Sequence, residues 1–275
     1  MDLGLRDRVF LVTGGSRGLG FAAARELVAE GAHVVISSRN AKSLEAAAQR
    51  LVAGKASADR VAWIASDNAD PESAARLITT AKERFGRLDG ALVSVGGTPA
   101  GTGLGTSDEV WRAGFEDVFL GAVRLARDFV RLAATDANVD VDADADADAV
   151  KGTGASLVFI LAASVRVPIA NLPVSNAVFP ALAGAVKMLA REVGPSGIRL
   201  NGVLPVRIAT DRVREFDALS GDPDEVRVAQ SQLIPLRRYG EPEEFGRVAA
   251  FLLSPAASFI TGAMVPVDGG AIPSI

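Results

Sequence analysis

The run from Val9 to Gly20, Val-Phe-Leu-Val-Thr-Gly-Gly-Ser-Arg-Gly-Leu-Gly, carries the clearest chemistry in the chain. An apolar, β-branched run ends in glycines, and the alanine-rich stretch from Phe21 to Ala29 follows. That order predicts a strand, a tight turn and a helix. Glycine allows the turn and lets the backbone approach a ligand closely. The helix start adds unpaired N–H groups and a positive end. The turn therefore reads as a cradle for a nucleotide phosphate.

Groups that move protons or bind metals are scarce. The chain has no cysteine, which excludes disulfides, a thiol nucleophile and thiolate metal sites. Its one histidine, His33, opens the run Val34-Val35-Ile36 and reads as structural, and no metal site is expected. Its one tyrosine, Tyr239, sits in a Pro-Leu-Arg-Arg-Tyr-Gly turn, where packing or a cleft-edge contact is the expected role. A net charge of −4 argues against a nucleic-acid surface. No run of 18 apolar residues suggests a membrane span, and charged Asp2, Arg6, Asp7 and Arg8 precede the first apolar run, the wrong order for a signal peptide. A cytoplasmic protein is expected.

The elements that must position these residues follow from alternation. Short apolar runs at 9–13, 33–38, 61–65, 90–95, 156–161, 198–203 and 264–267 read as strands. Helical patterns at 18–30, 41–53, 71–85, 108–133, 173–193 and 242–253 fill the gaps. Near-continuous apolar strands between helices predict an α/β fold: one Rossmann-type doubly wound parallel sheet of about seven strands, with helices on both faces. Ligands are then expected at the carboxyl ends of the strands. With 49% hydrophobic residues, all 275 positions fit one domain. The segment 135–151 interrupts the pattern with six aspartates between Asp136 and Asp148. It lacks the glycine turn and closing glutamate of a calcium loop and is expected to be a solvated, mobile insertion.

The glycine run resembles the TGxxxGxG fingerprint of the short-chain dehydrogenases/reductases. The likeness continues through Ser66-Asp67-Asn68, Leu92-Val93-Ser94-Val95-Gly96-Gly97, the segment from Gly194 to Pro205, and Pro266-Val267-Asp268-Gly269-Gly270. The likeness extends to 3-oxoacyl-carrier-protein reductase-like members, which carry a stretch similar to Asn171-Leu172-Pro173-Val174-Ser175-Asn176. The resemblance implies a nicotinamide dinucleotide held by Gly14, Ser16, Arg17, Gly18, Leu19 and Gly20. It also implies Asp67 and Asn68 at the adenine, Gly96 at a ribose, and Ile208 and Thr210 at the nicotinamide. Charge selects the form of the cofactor. The second strand ends Ser37-Ser38-Arg39-Asn40, with no carboxylate to bind a ribose diol. Ser38 and Arg39, with Arg17, suit the 2′-phosphate of NADP; the competing reading makes both arginines ordinary surface residues.

Relatives place a serine, a tyrosine, a lysine and an asparagine around the substrate carbonyl. Counting back without gaps from Leu189-Ala190-Arg191-Glu192 puts Ser175 at the tyrosine position, Phe179 at the lysine position and Ala162 at the serine position. Val118 stands where asparagine is expected, and Val206 follows Pro205 where relatives carry glycine. Lys187 lies roughly 12 Å further along its helix than Phe179, too far to substitute. Ser164, Ser175 and Asn176 remain as polar candidates, with Arg166 more distant. Serine is a poor acid without a positioned base, so Ser175 and Ser164 read either as proton donors or as capping and packing groups. Two functions follow: an NADP-dependent carbonyl reductase or alcohol dehydrogenase with a non-standard site, or a nucleotide-binding sensor or partner protein without efficient turnover. A cofactor-independent lyase or isomerase in the same cleft is a third. The resemblance further implies a small carbonyl or alcohol substrate, a homodimer or homotetramer, and a substrate-covering loop over 207–236.

Overall fold

A computed structural model describes residues 2–53, 57–137 and 154–275. Its seven strands are β1 (Val9–Thr13), β2 (His33–Ser38), β3 (Val61–Ala65), β4 (Gly90–Ser94), β5 (Ser156–Ile160), β6 (Arg199–Pro205) and β7 (Met264–Val267). All pair in parallel, in the order β3-β2-β1-β4-β5-β6-β7. The order reverses between β1 and β4, so a crevice opens at their carboxyl ends, where the glycine turn stands.

Alternation along β1 shows how the layers form. Val9 and Leu11 face a core shared with α3 (Ser73–Phe85), α5 (Gly121–Ala137) and α6 (Pro173–Glu192). Phe10 and Val12 face the opposite core, built with α1 (Gly18–Ala29), α2 (Ala41–Val52) and α9 (Pro242–Leu253). Both faces of the central strands are covered, which is why β1, β4 and β5 are largely apolar and buried. The helix α6 is long and apolar enough in composition to cross a membrane. In this fold its Val174, Val178, Leu182 and Val186 are buried in the first core.

Three segments depart from the sequence expectations. The single helix over 108–133 is α4 (Asp108–Gly114), a π-helical segment over Phe115–Leu120, and α5, which runs on to Ala137. Residues 135–137, assigned to the insertion, are therefore helical, while 138–151 lie outside the described residues. The loop over 207–236 contains two short helices, α7 (Asp211–Asp217) and α8 (Pro223–Ser231), started by the side chains of Thr210 and Asp222.

The start of α9, which packs on α1 behind the glycine turn, is held by Glu244. Its carboxylate takes two 2.7 Å bonds from Arg238 and one from the Glu241 N–H. The Arg238 guanidinium and that N–H lower its pKa to about 2. A depressed carboxylate contributes stability at pH values above its ordinary range and loses it as the pH falls toward 2. The groups are solvent-exposed, so Glu244→Gln is expected to cost only about 0.5–1 kcal/mol at neutral pH. Denaturant titration should show that gap closing near pH 2.

Candidate active site and nucleotide cleft

The glycine turn is built for close approach. Gly14 and Gly18 have φ of +62° and +58°, in the left-handed region. A Cβ on Gly14 would stand 2.7 Å from Ser94 Oγ, and one on Gly20 2.4 Å from the Gly14 carbonyl oxygen. The turn is tied to its neighbours: Gly15 N–H donates to Ser37 O at 3.0 Å, and Thr13 Oγ1 donates to Ser94 O at 2.9 Å. Asn68 Nδ2 donates to the same Ser94 carbonyl at 3.0 Å, while Asp67 accepts from the Ala69 N–H. Ser16 and Leu19 are half-buried beside the turn, with Leu19 against the α1 core. A Cβ on Gly96, at the end of the β4 loop segment, would meet nothing within 4 Å, so space rather than packing surrounds it.

At the end of β2, Ser38 Oγ is buried without a hydrogen-bond partner among the described residues. A buried hydroxyl left unpaired costs roughly 1–3 kcal/mol, which a ligand acceptor would recover. Arg39 beside it is exposed. Its charge partly offsets the burial and the Asp67 repulsion that together push the Asp117 carboxyl up. These features fit the diphosphate and a phosphorylated ribose of a dinucleotide. Arg17, by contrast, is turned toward α7, where its Nη1 lies 3.2 Å from Glu215 Oε1 with both side chains exposed. Such a pair is worth little and is easily exchanged for a phosphate.

The serine candidates are brought together. Ser164, in a short turn after β5, and Ser175, in the first turn of α6, are both buried with hydroxyls 3.0 Å apart. Ser164 Oγ also lies in donating position to the Ser175 carbonyl at 3.1 Å. Asn176 is occupied elsewhere: its side chain accepts from the Ile169 N–H at 2.8 Å and donates to the Ile169 carbonyl at 2.9 Å. Phe179 and Val118 are buried apolar groups. Lys187 donates to Gly262 O at 3.1 Å, and Arg166 reaches the last residue, Ile275. Tyr239 is buried and donates to Asp217 Oδ2 at 2.9 Å. Burial, then that bond, pushes its pKa up to about 12. His33, the first residue of β2, packs against Phe85 at the amino ends of the strands.

Ile208 is buried and bridges to Gly240, and Thr210 caps α7 with its methyl facing Gly18. Three contacts of this region had no sequence signal. Arg212 of α7 donates to the Thr98 carbonyl at 3.4 Å, and Arg207 and Tyr239 both bond Asp217. The partners lie between 10 and 114 residues apart.

A family model described as Enoyl-(Acyl carrier protein) reductase matches residues 14–271. An uncharacterized oxidoreductase of Mycobacterium tuberculosis is 34% identical over 97% of this chain and 92% of its own length. Human dehydrogenase/reductase SDR family member 2, a mitochondrial protein, is 30% identical over 96% of this chain and 86% of its own. Among solved structures, L-sorbose reductase from Gluconobacter frateurii, complexed with NADPH and L-sorbose, superposes with a TM-score of 0.87. That alignment covers 100% of both chains at 28% identity. With its glycine turn at the reversal point of a seven-stranded parallel sheet, this chain belongs to the short-chain dehydrogenase/reductase family of oxidoreductases.

Proposed function

We propose that the protein binds NADP(H) and acts as a carbonyl reductase or alcohol dehydrogenase on a small substrate, through a non-standard proton site. The observation that carries the proposal is the buried, unpartnered Ser38 hydroxyl followed by Arg39 where an NAD-binding site would place a carboxylate. When bound, the nicotinamide supplies or accepts the hydride. In this reading Gly14, Ser16, Gly18, Leu19 and Gly20 hold the diphosphate, while Ser38, Arg39 and a released Arg17 bind the 2′-phosphate. Asp67 and Asn68 flank the adenine, Gly96 lies by a ribose, and Ile208 and Thr210 meet the nicotinamide. The NADPH and L-sorbose of the superposable reductase support both cofactor and substrate class. The protein is assigned the family's homodimeric or homotetrameric state, using α5, α6 and the edge strand β7.

The proton route is the Ser164–Ser175 pair. Ser164 can donate to Ser175 Oγ, leaving the Ser175 proton for the substrate oxygen. Without a lysine to lower its pKa, a serine hydroxyl is a weak donor, so turnover is expected to be slow. Ser175→Ala is expected to lower kcat about 10²-fold while NADPH affinity stays unchanged. Unchanged turnover would remove the serine from the mechanism and leave water as the donor.

A second reading has its own observation. Both serines bond each other, Asn176 is consumed by Ile169, and Phe179 and Val118 offer no polar group. That arrangement suits a nucleotide-holding protein that does not turn over. Fluorescence titration with NADPH and NADH, then NADPH oxidation against a carbonyl panel, separates the two. Tight NADPH binding with oxidation supports the reductase. Binding without oxidation supports the second reading, and binding of neither nucleotide removes both.

A further inference from the structure

The buried Asp217 and Tyr239 and the half-buried Arg207 form an ionic cluster apart from the glycine turn and the serine pair. Asp217, the last residue of α7, is 2% exposed. One of its carboxylate oxygens takes the Arg207 guanidinium, and the other takes the Tyr239 hydroxyl at 2.9 Å. Arg207 also donates to the Tyr239 oxygen at 3.3 Å. Its cation lies 5.7 Å from the Phe216 ring and 5.8 Å from the Tyr239 ring, while Arg227 of α8 covers the same tyrosine at 5.3 Å. Arg207 holds φ +50°, a conformation that a side chain makes costly. Buried ion pairs are often no better for stability than apolar groups of the same volume. What such a cluster supplies here is a fixed direction for the helix it ends.

That helix crosses the mouth of the nucleotide cleft. Thr210, at its start, lies 3.8 Å from where a Gly18 Cβ would stand. Arg212 reaches the Thr98 carbonyl at 3.4 Å, and Glu215 meets Arg17 at 3.2 Å. The Arg17–Glu215 pair is exposed on both sides and the Arg212 bond is long, so these contacts hold α7 weakly. An open pocket of about 140 Å³ is lined by Thr210, Val213, Asp217, Pro223, Arg227 and Tyr239, beside the Arg214–Asp224 pair that joins α7 to α8. The helix is also tied just before its start by the Ala209 N–H to Gly240 carbonyl bond and to α8 by the exposed Arg214–Asp224 pair, while its ionic anchor around the buried Asp217 stands at its carboxyl end.

We propose that Arg207, Asp217 and Tyr239 are positioning residues that keep α7 as a strap across the cleft and so set the release rate of the dinucleotide. The inference rests on the dinucleotide reading above. Tyr239→Phe keeps the ring and removes the hydroxyl; Asp217→Asn removes the charge. Both are made in the full-length protein. NADPH Kd and release are followed by stopped-flow fluorescence, and amide hydrogen exchange of residues 211–217 is followed without cofactor. The expected result for Tyr239→Phe is faster exchange in α7 but not in α1 or α9, and an about tenfold weaker NADPH affinity arising from faster release. Turnover at saturating NADPH should stay at the wild-type value, a split that general destabilisation would not produce. The proposal is overturned if α7 exchange is unchanged in Tyr239→Phe, or if exchange rises while Kd and release remain wild-type. Asp217→Asn should show the same pattern more strongly; should it not fold, Tyr239→Phe decides alone. Failure of the wild type to bind NADPH removes the dinucleotide reading and the strap with it; wild-type binding with unaltered variants removes only the strap.

Discussion

Gly20→Ala is expected to abolish dinucleotide binding. An alanine Cβ there would stand 2.4 Å from the Gly14 carbonyl oxygen, 2.8 Å from its carbon and 3.1 Å from the Thr13 carbonyl oxygen. All three are backbone atoms of the turn itself, so no side chain can swing aside. Either the turn opens or α1 retreats, and α1 is held by Ala23, Ala24 and Leu27 in the core shared with Phe245 of α9. Overpacking of this kind costs roughly 1–3 kcal/mol of stability. Displacing the N–H groups from the phosphate is expected to weaken NADPH binding at least about 100-fold, since it removes several charge-assisted bonds together. Gly18→Ala is the matched control. Its Cβ would meet only the Thr210 side chain at 3.8 and 3.9 Å, so it carries only the left-handed penalty at φ +58°, roughly 1 kcal/mol. Equal NADPH affinity in Gly20→Ala and wild type, measured by fluorescence titration, would refute the cradle.

Arg39→Glu is expected to invert the cofactor preference. In the wild type, Arg39 follows the unpartnered Ser38 hydroxyl, and its charge already softens the acidic neighbourhood of Asp67 and Asp117. A glutamate there would join those two carboxylates and repel a 2′-phosphate. Losing one charge-assisted bond costs roughly 1.5–3 kcal/mol, and the repulsion adds to it. NADPH affinity should fall about 10²-fold or more, whereas NADH, with a ribose diol for the new carboxylate, should hold or gain. Arg17→Ala is expected to do less, because that guanidinium is shared with Glu215 before any phosphate arrives. The test is the ratio of NADPH to NADH dissociation constants. A parallel fall in both would place Arg39 in the fold rather than in cofactor choice.

The strands were legible because a buried parallel sheet demands unbroken apolar runs. The spans 9–13, 33–38, 61–65 and 264–267 match β1, β2, β3 and β7 residue for residue. The glycine turn was legible for a similar reason: left-handed φ and a 2.4 Å approach leave glycine as the residue that fits. The π-helical segment at Phe115–Leu120 was not, because its residues have the same apolar spacing as ordinary helix and differ only in how the backbone bonds register. The charged residues Asp211, Arg212, Arg214, Glu215, Asp222 and Asp224 read as solvated helix faces, but the bounds of α7 and α8 were not legible, since a single buried residue, Asp217, leaves almost no periodic signal over seven and nine positions.

What the sequence determined by itself is everything set by local sterics and by periodic burial: the parallel sheet, the phosphate turn and the shortage of proton-moving groups. What only the tertiary structure decided is which distant side chains meet. Ser164 and Ser175 share a hydrogen bond, Asn176 is spent on Ile169, Ser38 Oγ is left without a partner, and Asp217 is divided between Arg207 and Tyr239. Such meetings depend on how strands, helices and loops far apart in the chain stack against one another, and the identities of neighbouring residues carry no trace of that geometry.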